Sequence, residues 1–263
     1  MATDKRARKR MAREERLEAM KRQRNARLIA VGVVVLIVLG LAIFASTGDD
    51  GGGNGDSASS EPAAEAEAAC DAEVPEKAAP QQYDAAPEMQ LQDGVDYSAT
   101  IVTSCGDITL DLYEEQAPET VNNFVFLARE GYFDGLLWHR VERNFVIQAG
   151  DPDGVNGQPP DGPGYDIKDE LWAKSNDYVW GTVAMANAGP NTGGSQFFVI
   201  VHEPRDKPAG LQALYSVFGI VDENSYETLE QIATAETPNS GDPADASKPI
   251  VPIYIESIEI SEG

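Results

Sequence analysis

The stretch WHRVERNFVIQAGD, residues 138–151, sets a histidine, two arginines and a glutamine among bulky apolar side chains, with no cysteine and no carboxylate pair. An arginine never gives up its proton at ordinary pH. If Arg140 is the working group, the reaction needs a fixed cationic donor rather than an acid, a base or a nucleophile. Conventional catalysts can be tested against the rest of the chain first.

The only two histidines, His139 and His202, are far apart and neither has ligand spacing around it, which argues against zinc. Ser195 sits in GGSQF, outside any nucleophile elbow. GPNTGG has the glycines of a phosphate cradle but lacks the lysine and the following helix. DPDGVNGQPPDG carries oxygen side chains at Asp151, Asp153 and Asn156. Its paired prolines and missing terminal glutamate make it a turn-rich loop rather than a calcium loop. What is left is an apolar, amide-rich surface with one permanent cation, and no cofactor is implied.

Charge is distributed unevenly along the 263 residues. The first 27 hold 11 Lys/Arg against 4 Asp/Glu, while the whole chain carries −24. A basic head therefore precedes a strongly acidic body, which disfavours nucleic-acid binding because phosphate neutralisation needs clustered cations. Residues 28–45, LIAVGVVVLIVLGLAIFA, are 18 uncharged residues, just enough to cross a bilayer core as a helix. The basic head places the N-terminus in the cytoplasm and everything after residue 45 outside. A cleavable signal peptide is the alternative; the long head, the long apolar run and the lack of a clear small-x-small site favour an anchor.

Residues 46–95 are rich in Gly, Ser, Ala and acid and read as a flexible tether with no core of its own. The domain line is thus a cytoplasmic head over 1–27, a transmembrane helix over 28–45, a linker over 46–95 and a folded domain over 96–263. The two cysteines, Cys70 and Cys105, both fall on the outer side, where an oxidising compartment permits a disulfide. Two free thiols are the alternative.

From Tyr97 the texture changes. YSATIVTSCGDITLDLY reads as two strands joined by a hairpin. APETVNNFVFLAREGYF predicts a helix whose face is Val121, Phe124, Val125 and Ala128, with Pro118 near its start and Gly131 near its end. Short β-like runs follow around Val146, 183–185, 197–201 and 216–221. A second helix is expected over 226–233, with Asn224 and Glu227 as a capping pair. In PIYIESIEI the apolar alternation slips by one residue between Ile255 and Ile258, which predicts a bulge in the last strand. Many short strands with two helices argue for a closed or nearly closed β-barrel.

WHRVERNFVIQAGD and GTVAMANAGPNTGGSQFFVI, with YSVFG downstream, resemble the cyclophilin family of peptidyl-prolyl isomerases over roughly residues 97–260. The resemblance implies a mainly β fold, a closed eight-stranded antiparallel barrel capped by two α-helices, acting on X–Pro bonds of proline-containing polypeptides. It implies Arg140 as the donor to the prolyl nitrogen, with Gln148 holding it. Phe145, Val146, Phe198 and Leu211 would wall the proline pocket, and Asn187 would bind the peptide backbone, with Ala186 and Gln196 lining the groove. His139 matches a family position beside the arginine, in a structural role.

The chain also departs from the family pattern. Val146 stands where methionine is usual, and Tyr215 where histidine is common. HEPRDKPAGLQAL has no tryptophan at the place that helps bind cyclosporin, which leaves cyclosporin binding open. A monomer is expected, although the sequence does not set the oligomeric state.

Overall fold

The computed structural model describes residues 68–78, 81–153, 162–238 and 246–263. The basic head, the apolar run 28–45 and the start of the tether lie outside the described residues. Among those described, no helix is long and apolar enough to cross a membrane.

The strands are β1 (Tyr97–Thr103), β2 (Gly106–Leu112), β3 (Arg140–Glu142), β4 (Val146–Ala149), β5 (Thr182–Met185), β6 (Phe197–Ile200), β7 (Val217–Val221) and β8 (Ile255–Glu262). The helices are α1 (Pro118–Arg129) and α2 (Tyr226–Ala233). All eight strands form one antiparallel sheet in the order β3-β4-β6-β5-β7-β2-β1-β8. Strand β1 alternates strictly, burying Tyr97, Ala99, Ile101 and Thr103 and turning the residues between them outward. The central strands β5, β6 and β7 are buried on both faces, which is why TVAM, FFVI and VFGIV are almost wholly apolar. One face looks into an interior core around Phe124, Phe197 and Phe218; the other supports a second apolar cluster around Val146, Phe198 and Val217.

The expectation of a closed barrel is corrected: β3 and β8 are the two ends of the sheet and do not pair. The seam between them is stitched by an isolated bridge, Leu137 to Tyr254, and by backbone bonds such as Trp138 N to Ile253 O and Ile255 N to Leu136 O. The segment just before β8 carries Pro249 and Pro252, neither of which has an amide donor, so it does not run as a regular ladder strand. The slip predicted in the last strand is present: Val102 pairs with Ser257 but Thr103 with Ile255, so Glu256 is the extra residue.

Helix α1 buries the predicted face, Val121, Phe124, Val125 and Ala128. Its N-terminal amides are satisfied from a distance: the Glu170 carboxylate accepts from Glu119 N at 3.1 Å, and from Thr120 N at 2.8 Å. Its end is a left-handed glycine stop, with Gly131 at φ 67° and Tyr132 N donating back to Leu127 O. The expected Asn224–Glu227 capping pair does not form. Asp222 instead caps a short 3-10 turn by accepting from Asn224 N at 2.9 Å. The Ser225 hydroxyl, nearest the start of α2, is spent on Thr109 N of β2.

The tether assignment for 46–95 is also corrected in its second half, because the described residues of 68–95 lie along the domain. Cys70 is disulfide-bonded to Cys105 in the β1–β2 hairpin. Ala69 N bonds Pro252 O, Ala78 N bonds Asp134 O, and Tyr83 N bonds Pro163 O. The Tyr83 ring meets Phe126 edge-on at 4.9 Å, and Asn122 of α1 holds Glu88 O and receives Gln90 N. Composition hid this strap, because a few anchors (Cys70, Tyr83, Leu91, Val95) are diluted by Ala, Pro, Gln and Glu. Reducing the disulfide is expected to lower unfolding stability by at most roughly 4 kcal/mol for its 35-residue loop. It should also expose residues 71–78 to protease, which limited digestion with and without reductant would read.

His139, just ahead of β3, is buried, and its pKa is pushed down to about 4, first by burial and second by the neighbouring Arg140 charge. The unfolded chain titrates this group near 6.5 and so binds the proton more readily. The stability from keeping His139 neutral is complete above pH 6.5 and is lost as pH falls toward 4. Urea unfolding at stepped pH should show this slope between 6.5 and 5, and His139→Gln should flatten it.

Candidate functional site

The sheet register places the key side chains in one row. Arg140 on β3 lies opposite Gln148 on β4, Gln148 opposite Phe198 on β6, and Phe198 opposite Ala184 on β5. Residues directly opposed in a ladder share a face, so the arginine, its amide partner and an aromatic floor come together without a loop to position them. Gly150, at φ 90°, ends β4 where the chain runs so close to β6 that a Cβ would sit 2.4 Å from Ser195 O. Ser195 then donates to Gly150 O at 2.7 Å, and this is where its hydroxyl is spent.

A groove of about 480 Å³ opens on this outer face. Arg140, Phe145, Val146, Gln148, Ala186, Asn187, Phe198, Leu211 and Tyr215 all line it. Gln196 stands one hydrogen bond behind, and His139 does not line the groove: it is buried as a neutral side chain. Two lining residues escaped the sequence reading. Glu142 had a signal, its i,i+2 spacing from Arg140, which on a strand means the same face. Ser247 had none, because it arrives from a remote segment whose neighbour contact is Val141 N to Ser247 O.

The polar side is a relay of side-chain hydrogen bonds. Arg140 Nη1 donates to Gln148 Oε1 at 3.0 Å, Gln148 Nε2 to Gln196 Oε1 at 2.8 Å, and Gln196 Nε2 to Asp151 Oδ2 at 2.9 Å. Arg140 Nε also donates to Glu142 Oε1 at 3.0 Å, and Nη2 donates to the same oxygen.

On the apolar side Val146 is buried, and Phe198 meets Tyr215 edge-on at 5.2 Å. The segment carrying Leu211 and Tyr215 is held by Asn187 Nδ2 to Leu214 O at 2.9 Å, and by Tyr178 OH to Tyr215 O at 2.8 Å. Burial pushes the Tyr178 hydroxyl up to about 12, so it remains a donor throughout the working range. Among the described residues no group of three or more His, Cys, Asp or Glu could hold a metal ion. The arrangement can seat a small apolar ring and present N–H donors at its edge.

The chain's relatives have the same type of domain. A family model described as cyclophilin type peptidyl-prolyl cis-trans isomerase matches residues 98–260. A peptidyl-prolyl cis-trans isomerase of Arabidopsis thaliana is 35% identical, over 55% of this chain and 85% of its own. Peptidyl-prolyl cis-trans isomerase B of Bacillus subtilis is 48% identical, over 43% of this chain and 75% of its own. A Streptococcus pyogenes relative named as a bifunctional phosphatase/peptidyl-prolyl cis-trans isomerase is 37% identical, but this chain spans only 41% of its length. A cyclophilin type isomerase of Cryptosporidium parvum superposes with a TM-score of 0.53 at 29% identity, covering 64% of this chain and 99% of that one. The same protein has also been crystallised in the presence of the dipeptide Ala-Pro. With the match covering most of the folded region, this chain belongs to the cyclophilin-type peptidyl-prolyl cis-trans isomerase family.

Proposed function

We propose that this chain, a cyclophilin-type peptidyl-prolyl cis-trans isomerase by family, turns X–Pro bonds of exported, still-folding polypeptides in the groove beside Arg140. The observation that carries the reading is a guanidinium held at the edge of an apolar floor made by Phe145, Val146, Phe198 and Leu211. Rotation about a peptide bond must break amide resonance against a barrier of ~18–20 kcal/mol. In the half-turned state the prolyl nitrogen becomes pyramidal and regains a lone pair, which an N–H donor stabilises and the planar ground state does not offer. Raising exchange from ~0.01 to ~1000 per second requires roughly 7 kcal/mol of such preferential stabilisation. No bond is made or cut, so the donor need not titrate, and a permanently charged arginine suits the task.

In this mechanism Gln148 fixes the guanidinium, Asn187 and Ala186 meet the peptide main chain, and Tyr215 borders the proline seat. Val146 leaves more room there than methionine would. The absence of tryptophan in 202–214 supports weak cyclosporin binding. A second reading, a proline-peptide binding module with little turnover, is favoured only by the open, half-exposed groove.

The placement is part of the proposal. The uncharged run 28–45 behind a basic head supports a single-pass anchor, with the N-terminus cytoplasmic and the isomerase domain outside. The Cys70–Cys105 bond suits an oxidising compartment. A proline-rich nascent chain crossing the membrane is then the natural substrate.

In a peptide exchange assay Arg140→Ala is expected to lose about a hundredfold in kcat/KM, the scale of removing one preorganised donor, while its thermal unfolding stays close to wild type. If wild type itself binds an Ala-Pro peptide saturably yet leaves proline-limited refolding at its uncatalysed rate, the binding-module reading holds instead. Protease added to intact, wall-stripped cells should degrade residues 68–263 and spare the basic head. Protection of the folded domain would reverse the orientation.

A further inference from the structure

Arg140 lies on a three-residue strand at the end of the sheet. On its outer side, among the described residues, β3 meets no neighbouring ladder, and Val141 N donates to Ser247 O. A long side chain at such an edge keeps many rotamers unless contacts remove them. Gln148 supplies one contact, on Nη1. One hydrogen bond fixes a point, and the guanidinium plane can still pivot about it.

The missing constraint comes from Glu142. Alternation along β3 buries Val141 and turns Arg140 and Glu142 to the groove face, where both line the same cavity. Glu142 Oε1 accepts from Nε and Nη2 together, on the edge of the guanidinium away from Gln148. We propose that Glu142 is a positioning residue for X–Pro isomerisation, locking the plane of Arg140 so that its unspent N–H groups face the prolyl nitrogen.

The donor count supports the assignment. A guanidinium has five N–H groups. Two go to Glu142 and one to Gln148, and the two left over sit on Nη1 and Nη2, the end of the side chain that reaches into the groove. A carboxylate on the Nε side thus spends the donors that cannot reach the substrate and spares those that can. Both partners are part-exposed, at 29% and 41% for the side chains, and ion pairs of that kind add little to fold stability. The pair is therefore poorly explained as a structural brace and well explained as an orienting contact. Preorganisation of this sort acts on the chemical step rather than on ground-state binding.

The inference rests on Arg140 being the donor, and four variants separate the two. Arg140→Ala, Glu142→Ala, Glu142→Gln and the Arg140→Ala/Glu142→Ala double variant would be compared in an equilibrium X–Pro exchange assay yielding kcat and KM. Glu142→Ala is expected to lower kcat about tenfold with KM moved less than about threefold, since misplacement of a held group costs turnover rather than affinity. Glu142→Gln should recover kcat to within about threefold of wild type, because its amide oxygen accepts the same two N–H groups. The double variant should be no slower than Arg140→Ala alone, as expected when one residue acts through the other. The Arg140 Nε–H resonance should shift or broaden in Glu142→Ala and persist in Glu142→Gln.

Full turnover in Glu142→Ala beside a disabled Arg140→Ala would overturn the positioning role and leave the arginine reading intact. A Glu142→Gln variant as slow as Glu142→Ala would overturn it too. Undiminished turnover in Arg140→Ala would remove the reading beneath it.

Discussion

The action proposed for Arg140 on an amide nitrogen requires a guanidinium kept from turning out into water, and a sheet register does the keeping. Because Arg140 opposes Gln148 and Gln148 opposes Phe198, the donor, its holder and the apolar floor are fixed by the same backbone hydrogen bonds that make the fold. Strand-borne residues are held more closely than loop-borne ones. The relay through Gln196 to Asp151 carries the constraint further, to an aspartate that is itself buried. Gln148 and Gln196 each accept from one neighbour and donate to the next, so each amide has one sensible orientation, and a flipped Gln148 would place two donors against each other.

That register depends in turn on a sheet with apolar material on both faces. The interior core uses Phe124, Phe197 and Phe218, with ring centroids about 5.1–6.5 Å apart, to fix where β6 and β7 lie under α1. The outer cluster then has a rigid back wall, and Phe198, next to Phe197, points the other way into the groove. Adjacent phenylalanines on one strand thus serve the fold and the site separately. The open seam between β3 and β8 costs little because the bonds around Leu137 and Tyr254 cover it, and it leaves β3 as an edge where a long polar side chain can lie.

Much of this was legible in the sequence, for physical reasons that can be named. Two β-rich runs around a Ser-Cys-Gly-Asp turn betrayed β1 and β2, a one-residue slip betrayed the bulge at Glu256, and helical spacing betrayed the buried face of α1. The apolar and amide residues of the groove came with the family resemblance in two long motifs. Strand β3 did not show in the pattern, because three residues are too few to display a period. The strap over 68–95 was missed because its anchors are sparse in a composition that otherwise resembles a tether. Glu142 is not among the residues the resemblance implies, and only strand geometry, which puts residues two apart on one face, sets it beside Arg140. The capping pair failed because Asp222 closes a tighter local ring than Asn224 can.

The permanence of the cation has a further consequence. On the proposed mechanism the donor never titrates and gives no intrinsic pH optimum near neutrality, so any acid sensitivity of turnover must enter through something else. One route is built in beside the arginine: His139, next door in the chain, is kept neutral by burial and resists protonation down to about pH 4. Protonating it opposes burial and so strikes at the folded population rather than at the guanidinium. A rate measured per folded molecule therefore separates an arginine that has lost its orientation from a domain that has lost its core.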